Sequence, residues 1–146
     1  MLDEIHEKGT VISEARFLQS KNMCFKNLIF RRGIQPTDID LSFDFNDQLY
    51  FQGEGKLEGK GMDYGQRKHL ECMSKRIYKG GAESFVIIFE HNVTDPTEKV
   101  YVWNCKVTEI FSGREGKWSP PKKEIILLEC IKQISKYCED VLKLQL

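Results

Sequence analysis

The sequence lacks long apolar runs and an excess of charge of either sign. No apolar run approaches the roughly 18 residues that a membrane span needs, and the first ten residues, MLDEIHEKGT, contain no apolar core of a signal peptide. The 22 basic and 22 acidic residues cancel, so net charge does not draw the chain to nucleic acid or membrane, although a local basic patch is compatible with this balance. We therefore expect a cytoplasmic protein without a membrane partner.

Paired cysteines are also missing. The five cysteines, Cys24, Cys72, Cys105, Cys130 and Cys138, form no CxxC or CxxH arrangement, and their number is odd. The last four fall inside segments of periodic hydrophobicity, which favours buried, reduced thiols. The alternative, a structural zinc site, lacks the usual ligand spacing. A GxxxxGK[ST] phosphate loop is absent as well.

The length and composition are those of one globular domain. The chain has 146 residues, of which 40% are apolar and 30% charged, and we expect a single domain over 1–146 that needs no disulfide or metal to hold its core. Hydrophobic periodicity predicts the element order α-β-β-α-β-β-α, an α/β domain with a mixed central β-sheet flanked by helices. The predicted helices cover 11–20, 64–78 and 119–142, and the predicted strands cover 38–45, 49–56, 84–91 and 99–111.

The stretch PTDIDLSFDFNDQLYFQGEGK, residues 36–56, places acidic residues in an alternating apolar pattern. Period two with a turn at Asn46-Asp47 predicts an antiparallel hairpin. A loop at 45–47 would set Asp38 opposite Glu54, whereas a loop at 46–48 would set Asp40 opposite Glu54. In either register an Asp and a Glu face each other with Cβ atoms roughly 4.5–5.5 Å apart.

Two carboxylates this close repel unless a cation lies between them or one of them binds a proton. A hard divalent cation with oxygen ligands, Mg²⁺ or Mn²⁺, suits the position. Lys56 lies on the same face as Glu54, where its ammonium could polarise water or steady a phosphate. Acid, acid and lysine around a metal are typical of phosphodiester hydrolysis. The alternative is the solvated polar face of an edge hairpin.

A helix start follows the hairpin. Asp63 and Gln66, in DYGQ, have the spacing of a capping box. Gln66 also lies on the apolar stripe that continues with Leu70, Met73 and Ile77. Gln66 can therefore serve the helix cap, the site, or both. Basic residues form either a phosphate-binding strip or an ordinary charged surface. They are Arg31, Arg32, Lys56, Lys60, Arg67, Lys68, Lys75, Arg76 and Lys79.

These motifs together resemble the PD-(D/E)XK nuclease superfamily. Glu54-Gly55-Lys56 fits E-x-K, Pro36-Thr37-Asp38 departs from Pro-Asp by one inserted residue, and QRKHL fits the Q-x-x-x-L that follows in several branches. The continuation through SFVIIFEHN and VYVW is similar to RecU-type Holliday junction resolvases and small phage nuclease-like proteins. The resemblance covers 36–103, and E-x-K alone is unspecific because Glu58-Gly59-Lys60 repeats it.

The resemblance implies a restriction-endonuclease-like core and a Mg²⁺- or Mn²⁺-dependent DNA endonuclease. It implies DNA as the partner, a homodimer as in many junction resolvases, and the host-cell cytoplasm if the chain is phage-encoded. The first alternative is a non-catalytic nucleic-acid-binding or assembly module on the same fold, and the second is a protein-interaction domain. The implied metal ligands are Asp38 and/or Asp40 with Glu54, and the P-T-D context favours Asp38 over Asp40. The other implied site residues are Glu14 as an outer carboxylate, Lys56 to orient water, and Gln66 near the lysine.

Overall fold

The computed structural model describes residues 40–95 and 97–146. The described elements, in chain order, are β1 (Leu41–Phe45), β2 (Leu49–Leu57), α1 (Tyr64–Lys79), β3 (Glu83–His91), a 3₁₀ turn (Val102–Asn104), β4 (Lys106–Ser112), β5 (Lys117–Ser119) and α2 (Leu127–Asp140).

The five strands form one mixed sheet in the order β1-β2-β3-β4-β5. β1 and β2 are an antiparallel hairpin, β2 and β3 are parallel with α1 as their crossover, and the remaining pairs are antiparallel. The predicted α/β domain with a mixed sheet is confirmed at this level. Because β2 and β3 are parallel, their carboxyl ends lie at the same edge of the sheet.

The hairpin has the second of the two predicted registers. Leu41 pairs with Gly53 and Phe45 with Leu49, so the loop is 46–48. Asn46 and Asp47 both adopt left-handed backbone conformations, with φ of 53° and 59°, which these two residue types tolerate better than most. Extended by one residue, this register sets Asp40 opposite Glu54.

The two faces of the sheet carry separate cores. Leu49, Phe51 and Ile87 pack in a cluster with Leu127 and Ile131 of α2. Successive strand residues point to opposite faces, and Val86, Ile88 and Phe111 accordingly pack with Leu70 of α1 in a second cluster. The two helices therefore cover opposite faces of the sheet.

Three predicted elements are wrong in the carboxyl-terminal half. Residues 99–111 are not one strand, because the 3₁₀ turn precedes β4. The predicted loop at 112–121 contains β5, which pairs with β4 and packs Trp118 on Phe111 at 5.2 Å between ring centroids. The last helix begins at Leu127 rather than 119, since Ile126 has an extended backbone and forms a β-bridge with Lys106. The described order is β-β-α-β-β-β-α.

The thiols follow the expectation with one exception. Cys105, Cys130 and Cys138 are buried and free, whereas Cys72 is exposed on α1. Burial raises the pKa of each of the three buried thiols.

Neither described helix has the length and apolarity that a membrane crossing requires. The predicted helix over 11–20, together with Glu14, Cys24 and Asp38, lies outside the described residues, so the single domain over 1–146 stays a prediction.

Candidate functional site

Two polar residues of β2 are buried on the face of the sheet that carries α1. Gln52 and Glu54 are only 3% and 2% exposed, and they pair in register with Val86 and Ile88, which belong to the α1-side core. β2 is an interior strand, with β1 and β3 as its neighbours in the sheet. The alternative of a solvated polar face is therefore wrong for Glu54.

Lys56 lies between a carboxylate and an amide. Its Nζ donates a hydrogen bond of 2.8 Å to Gln66 Oε1 and is 3.9 Å from Glu54 Oε2. The lysine side chain is 24% exposed, so the ammonium also reaches solvent. The structure thus brings Glu54, Lys56 and Gln66 together, as the resemblance implies.

The first turn of α1 fixes the position of Gln66. Asp63 is the N-cap, with an extended backbone, and its Oδ1 accepts a hydrogen bond of 2.8 Å from the Gln66 amide. The Gln66 side chain accepts from Lys56, so its backbone joins the helix cap while its side chain joins the site. Leu70, one turn later and fully buried, anchors this face of α1 on the sheet.

Asp40 brings a second carboxylate to the E-x-K tripeptide. Its Oδ2 accepts a hydrogen bond of 2.6 Å from the backbone amide of Gly55, between Glu54 and Lys56. Asp40 is exposed and directly precedes β1. A carboxylate offers several acceptor positions, so this hydrogen bond leaves Asp40 able to accept further contacts.

Packing on the α2 side of the sheet leaves no room for a side chain at Gly55. A Cβ at this position would lie 2.6 Å from Cε2 of Phe89, which is 2% exposed in the α2-side core. The middle residue of the tripeptide therefore has to be small, while its two neighbours point toward α1.

The donor set fits a hard divalent cation. Asp40 and Glu54 offer carboxylate oxygens, and Mg²⁺ in proteins is usually bound by one or two carboxylates together with water and substrate phosphates. Among the described residues, no group of three or more His, Cys, Asp or Glu side chains could hold a metal ion. A two-carboxylate magnesium site does not need such a group. The other predicted ligands, Asp38 and Glu14, lie outside the described residues.

The β4 side of this face holds an ion-pair network that sequence reasoning missed. Arg67 Nη1 lies 2.6 Å from Glu109 Oε2, and its guanidinium stacks over Trp118 at 4.3 Å from the ring centroid. Trp118 Nε1 in turn donates to Glu71 Oε1 at 2.6 Å. Arg67 and Glu109 are 42 positions apart, so no local pattern could reveal the pairing. Arg67 thus connects α1 to β4 and β5. Its charge is paired within the protein, so Arg67 does not belong to the predicted phosphate-binding strip.

A cleft of about 360 Å³ opens at the carboxyl ends of β2 and β3. Its lining includes Glu90, which pairs with Lys56 in the β2–β3 register. Tyr101, directly before the 3₁₀ turn, and Asn104, its last residue, also line it. Sequence reasoning missed this cleft as well, because it assigned 99–111 to a strand. The exposed aromatic residues of YVW, Tyr101 and Trp103, were the available signal.

No family model, curated protein or solved structure matches the chain. The carboxylate, lysine and glutamine arrangement on β2 and α1 is therefore interpreted from its own geometry and chemistry.

Proposed function

We propose that the protein is a metal-dependent DNA endonuclease, of resolvase-like or phage type, with Mg²⁺ or Mn²⁺ as its cofactor. The observation that carries this proposal is the Lys56 ammonium, hydrogen-bonded to Gln66 and 3.9 Å from the buried Glu54 carboxylate. These are the residues of the E-x-K and Q-x-x-x-L motifs on a hairpin strand and the helix that follows it.

Asp40 and Glu54 would hold the metal, with Asp38 as the alternative to Asp40. When bound, the metal supplies Lewis-acid stabilisation of the phosphoryl oxygens and a water of lowered pKa. A phosphate could then bind between this cation and the Lys56 ammonium. Without the cation, the two carboxylates would repel it.

Lys56 would act on the attacking water and the phosphate. One of the three ammonium protons is directed at Gln66 Oε1, and the remaining two can donate to a water or a phosphate oxygen. The water oxygen forms a bond to phosphorus as the bond from phosphorus to one ester oxygen breaks. The water gives up a proton to solvent, and the leaving oxygen takes one from solvent. Lys56 stabilises the negative charge that develops on the phosphoryl group.

Burial strengthens these interactions. The Glu54 side chain is 2% exposed and that of Lys56 24%, so their charges act through a medium of lower effective dielectric constant than water. Gln66, also buried, keeps the ammonium in place without adding charge. This arrangement is organised before substrate arrives, which supports a catalytic role rather than a simple surface ion pair.

The test is cleavage of supercoiled plasmid and labelled branched DNA with Mg²⁺, Mn²⁺ or EDTA. We expect metal-dependent cleavage by the wild type and a loss of at least about 100-fold in Glu54→Gln and in Lys56→Ala. Lys60→Ala is the matched control, because Lys60 occupies the same position in the second E-x-K tripeptide, beyond the end of β2. It should cleave within a few-fold of the wild type, and circular dichroism should show all variants folded.

Two results would count against the proposal. Cleavage by Glu54→Gln at the wild-type rate would exclude the mechanism. Salt-sensitive DNA binding by the wild type without cleavage in any metal would instead support the non-catalytic nucleic-acid-binding module.

A further inference from the structure

The cleft beside the candidate site has the size of a small-ligand pocket. Its volume of about 360 Å³ lies at the lower end of the range for ligand pockets. It is formed by the ends of β2 and β3 on one side and by the 3₁₀ turn with the start of β4 on the other. Val93, Val100 and Cys105 contribute apolar surface to its lining.

The charges that line the cleft cancel. Its lining contains two acidic residues, Glu58 and Glu90, and two basic residues, Lys99 and Lys106. A site for phosphate would be expected to have an excess of positive charge. A balanced, partly apolar cleft instead suits an uncharged ligand with polar edges.

Tyr101, directly before the 3₁₀ turn, and Asn104, its last residue, bring an aromatic residue and a carboxamide residue to the cleft. Both residues line the cleft, and the Asn104 backbone amide donates a hydrogen bond of 3.1 Å to the Tyr101 backbone carbonyl, which holds the two backbone segments together. Tyr101 is 64% exposed, so its ring is available for stacking. An unstacked nucleobase is recognised by this combination, in which an aromatic ring stacks on the flat face of the base and a carboxamide forms hydrogen bonds with its polar edge.

The cleft is within reach of a nucleic-acid strand at the candidate site. Lys56 pairs with Glu90, and Glu90 with Lys106, so the backbones of these two cleft residues lie about 5 and 10 Å from that of Lys56 at the strand spacing of a sheet. A stacked strand rises about 3.4 Å per nucleotide. A base one to three nucleotides from the phosphate at Lys56 would therefore arrive at the cleft.

We infer that this cleft is a subsite for one unstacked nucleobase of the strand bound at the candidate site. The inference rests on the proposed function and specifies its substrate class: nucleic acid with an unpaired base near the cleaved bond, as in a single strand or at a branch point. Tyr101 stacks on the base, and Asn104 binds its polar edge.

The experiment measures binding of the full-length Glu54→Gln protein, with Mg²⁺, to fluorescent single-stranded and branched oligonucleotides. A single abasic nucleotide is moved through the sequence one position at a time. We expect the affinity to fall about tenfold at one position and little elsewhere. Adding Tyr101→Ala should make the protein indifferent to that position, because the base has then lost its stacking partner. Trp103→Ala is the control, since Trp103 is an exposed aromatic residue on the same turn that does not line the cleft.

The outcomes separate this subsite from the nuclease activity. DNA that binds equally well whichever position is abasic would overturn the subsite, even if the wild type cleaves DNA. Equal effects of Tyr101→Ala and Trp103→Ala would also overturn it, in favour of general stacking on the surface. A position-specific loss that Tyr101→Ala removes would support the subsite even if the wild type does not cleave. Absence of any DNA binding would overturn both proposals.

Discussion

Gly55 links the candidate site to the core on the far side of β2. Its neighbours Glu54 and Lys56 point toward α1, whereas the space on its own side is filled by Phe89, 2.6 Å from where a Cβ would lie. Gly53 is in the same situation against Leu41, whose Cγ would be 2.7 Å from an added Cβ. Small residues at these positions let two bulky side chains pack against the backbone of the strand that carries the site.

We expect Gly55→Ala to lower the free energy of unfolding by about 1–3 kcal/mol, the usual cost of forcing an extra carbon into a packed core. The Phe89 ring is 2% exposed and has little room to yield. Urea denaturation measures the change. Gly61→Ala serves as the control because a Cβ there meets no heavy atom within 4 Å, and its effect should stay within about 0.5 kcal/mol. An alanine at position 55 that matched the wild type in stability would refute this account of Gly55.

The amino-terminal end of α1 is the element that positions Gln66. Asp63 caps the helix through the Gln66 amide, and Gly80 ends it by donating its amide to the carbonyls of the last turn. Both signals are local in sequence, and the predicted helix over 64–78 accordingly matches Tyr64–Lys79 closely. By contrast, the start predicted for α2 at Ser119-Pro120 failed, because Ser119 pairs with Ile110 of β4 and a cap signal carries no information on that pairing.

Asp63→Ala should destabilise the protein by about 1 kcal/mol, since it removes the side-chain acceptor at the helix cap. Asp63→Asn should retain most of the stability, because asparagine caps helices about as well as aspartate. Thermal and urea denaturation compare the three proteins. If the Lys56–Gln66 hydrogen bond depends on this turn, Asp63→Ala should also reduce any cleavage activity while Asp63→Asn does not. Equal stability of the alanine and asparagine variants would show that the cap contributes nothing through its side chain.

For the whole molecule, the core between α2 and the sheet contains buried thiols. Cys130 and Cys138 are 3% and 0% exposed and pack with Leu49, Phe51 and Ile87. Burial raises the pKa of Cys130 from its ordinary value of 9.0 to about 11. Burial, with a smaller contribution from the Glu83 carboxylate, raises that of Cys138 to about 11 as well. The folded protein therefore retains protons that the unfolded chain releases.

This difference predicts a loss of stability in alkaline solution. The contribution of the two thiols is fully present below pH 9 and is lost as the pH rises toward 11, because the folded state then binds more protons than the unfolded state. Urea denaturation under reducing conditions at pH 7, 9 and 10.5 measures it. The double variant Cys130→Ala, Cys138→Ala should be less stable at pH 7 but lose less stability over this range. A variant with the same pH dependence as the wild type would exclude the thiols as its source.

The sequence by itself determined the local elements of the described chain. The hairpin, α1 and β3 follow from alternation, an N-cap and an apolar run, and E-x-K with Gln66 identified side chains that the structure brings together. These features depend on neighbours a few positions apart. Only the tertiary structure decided between the two hairpin registers, buried Glu54, paired Arg67 with Glu109, and formed the cleft beside Lys56. Each of these depends on how strands and helices far apart in the chain pack, because burial and distant ion pairs arise only when the sheet is assembled.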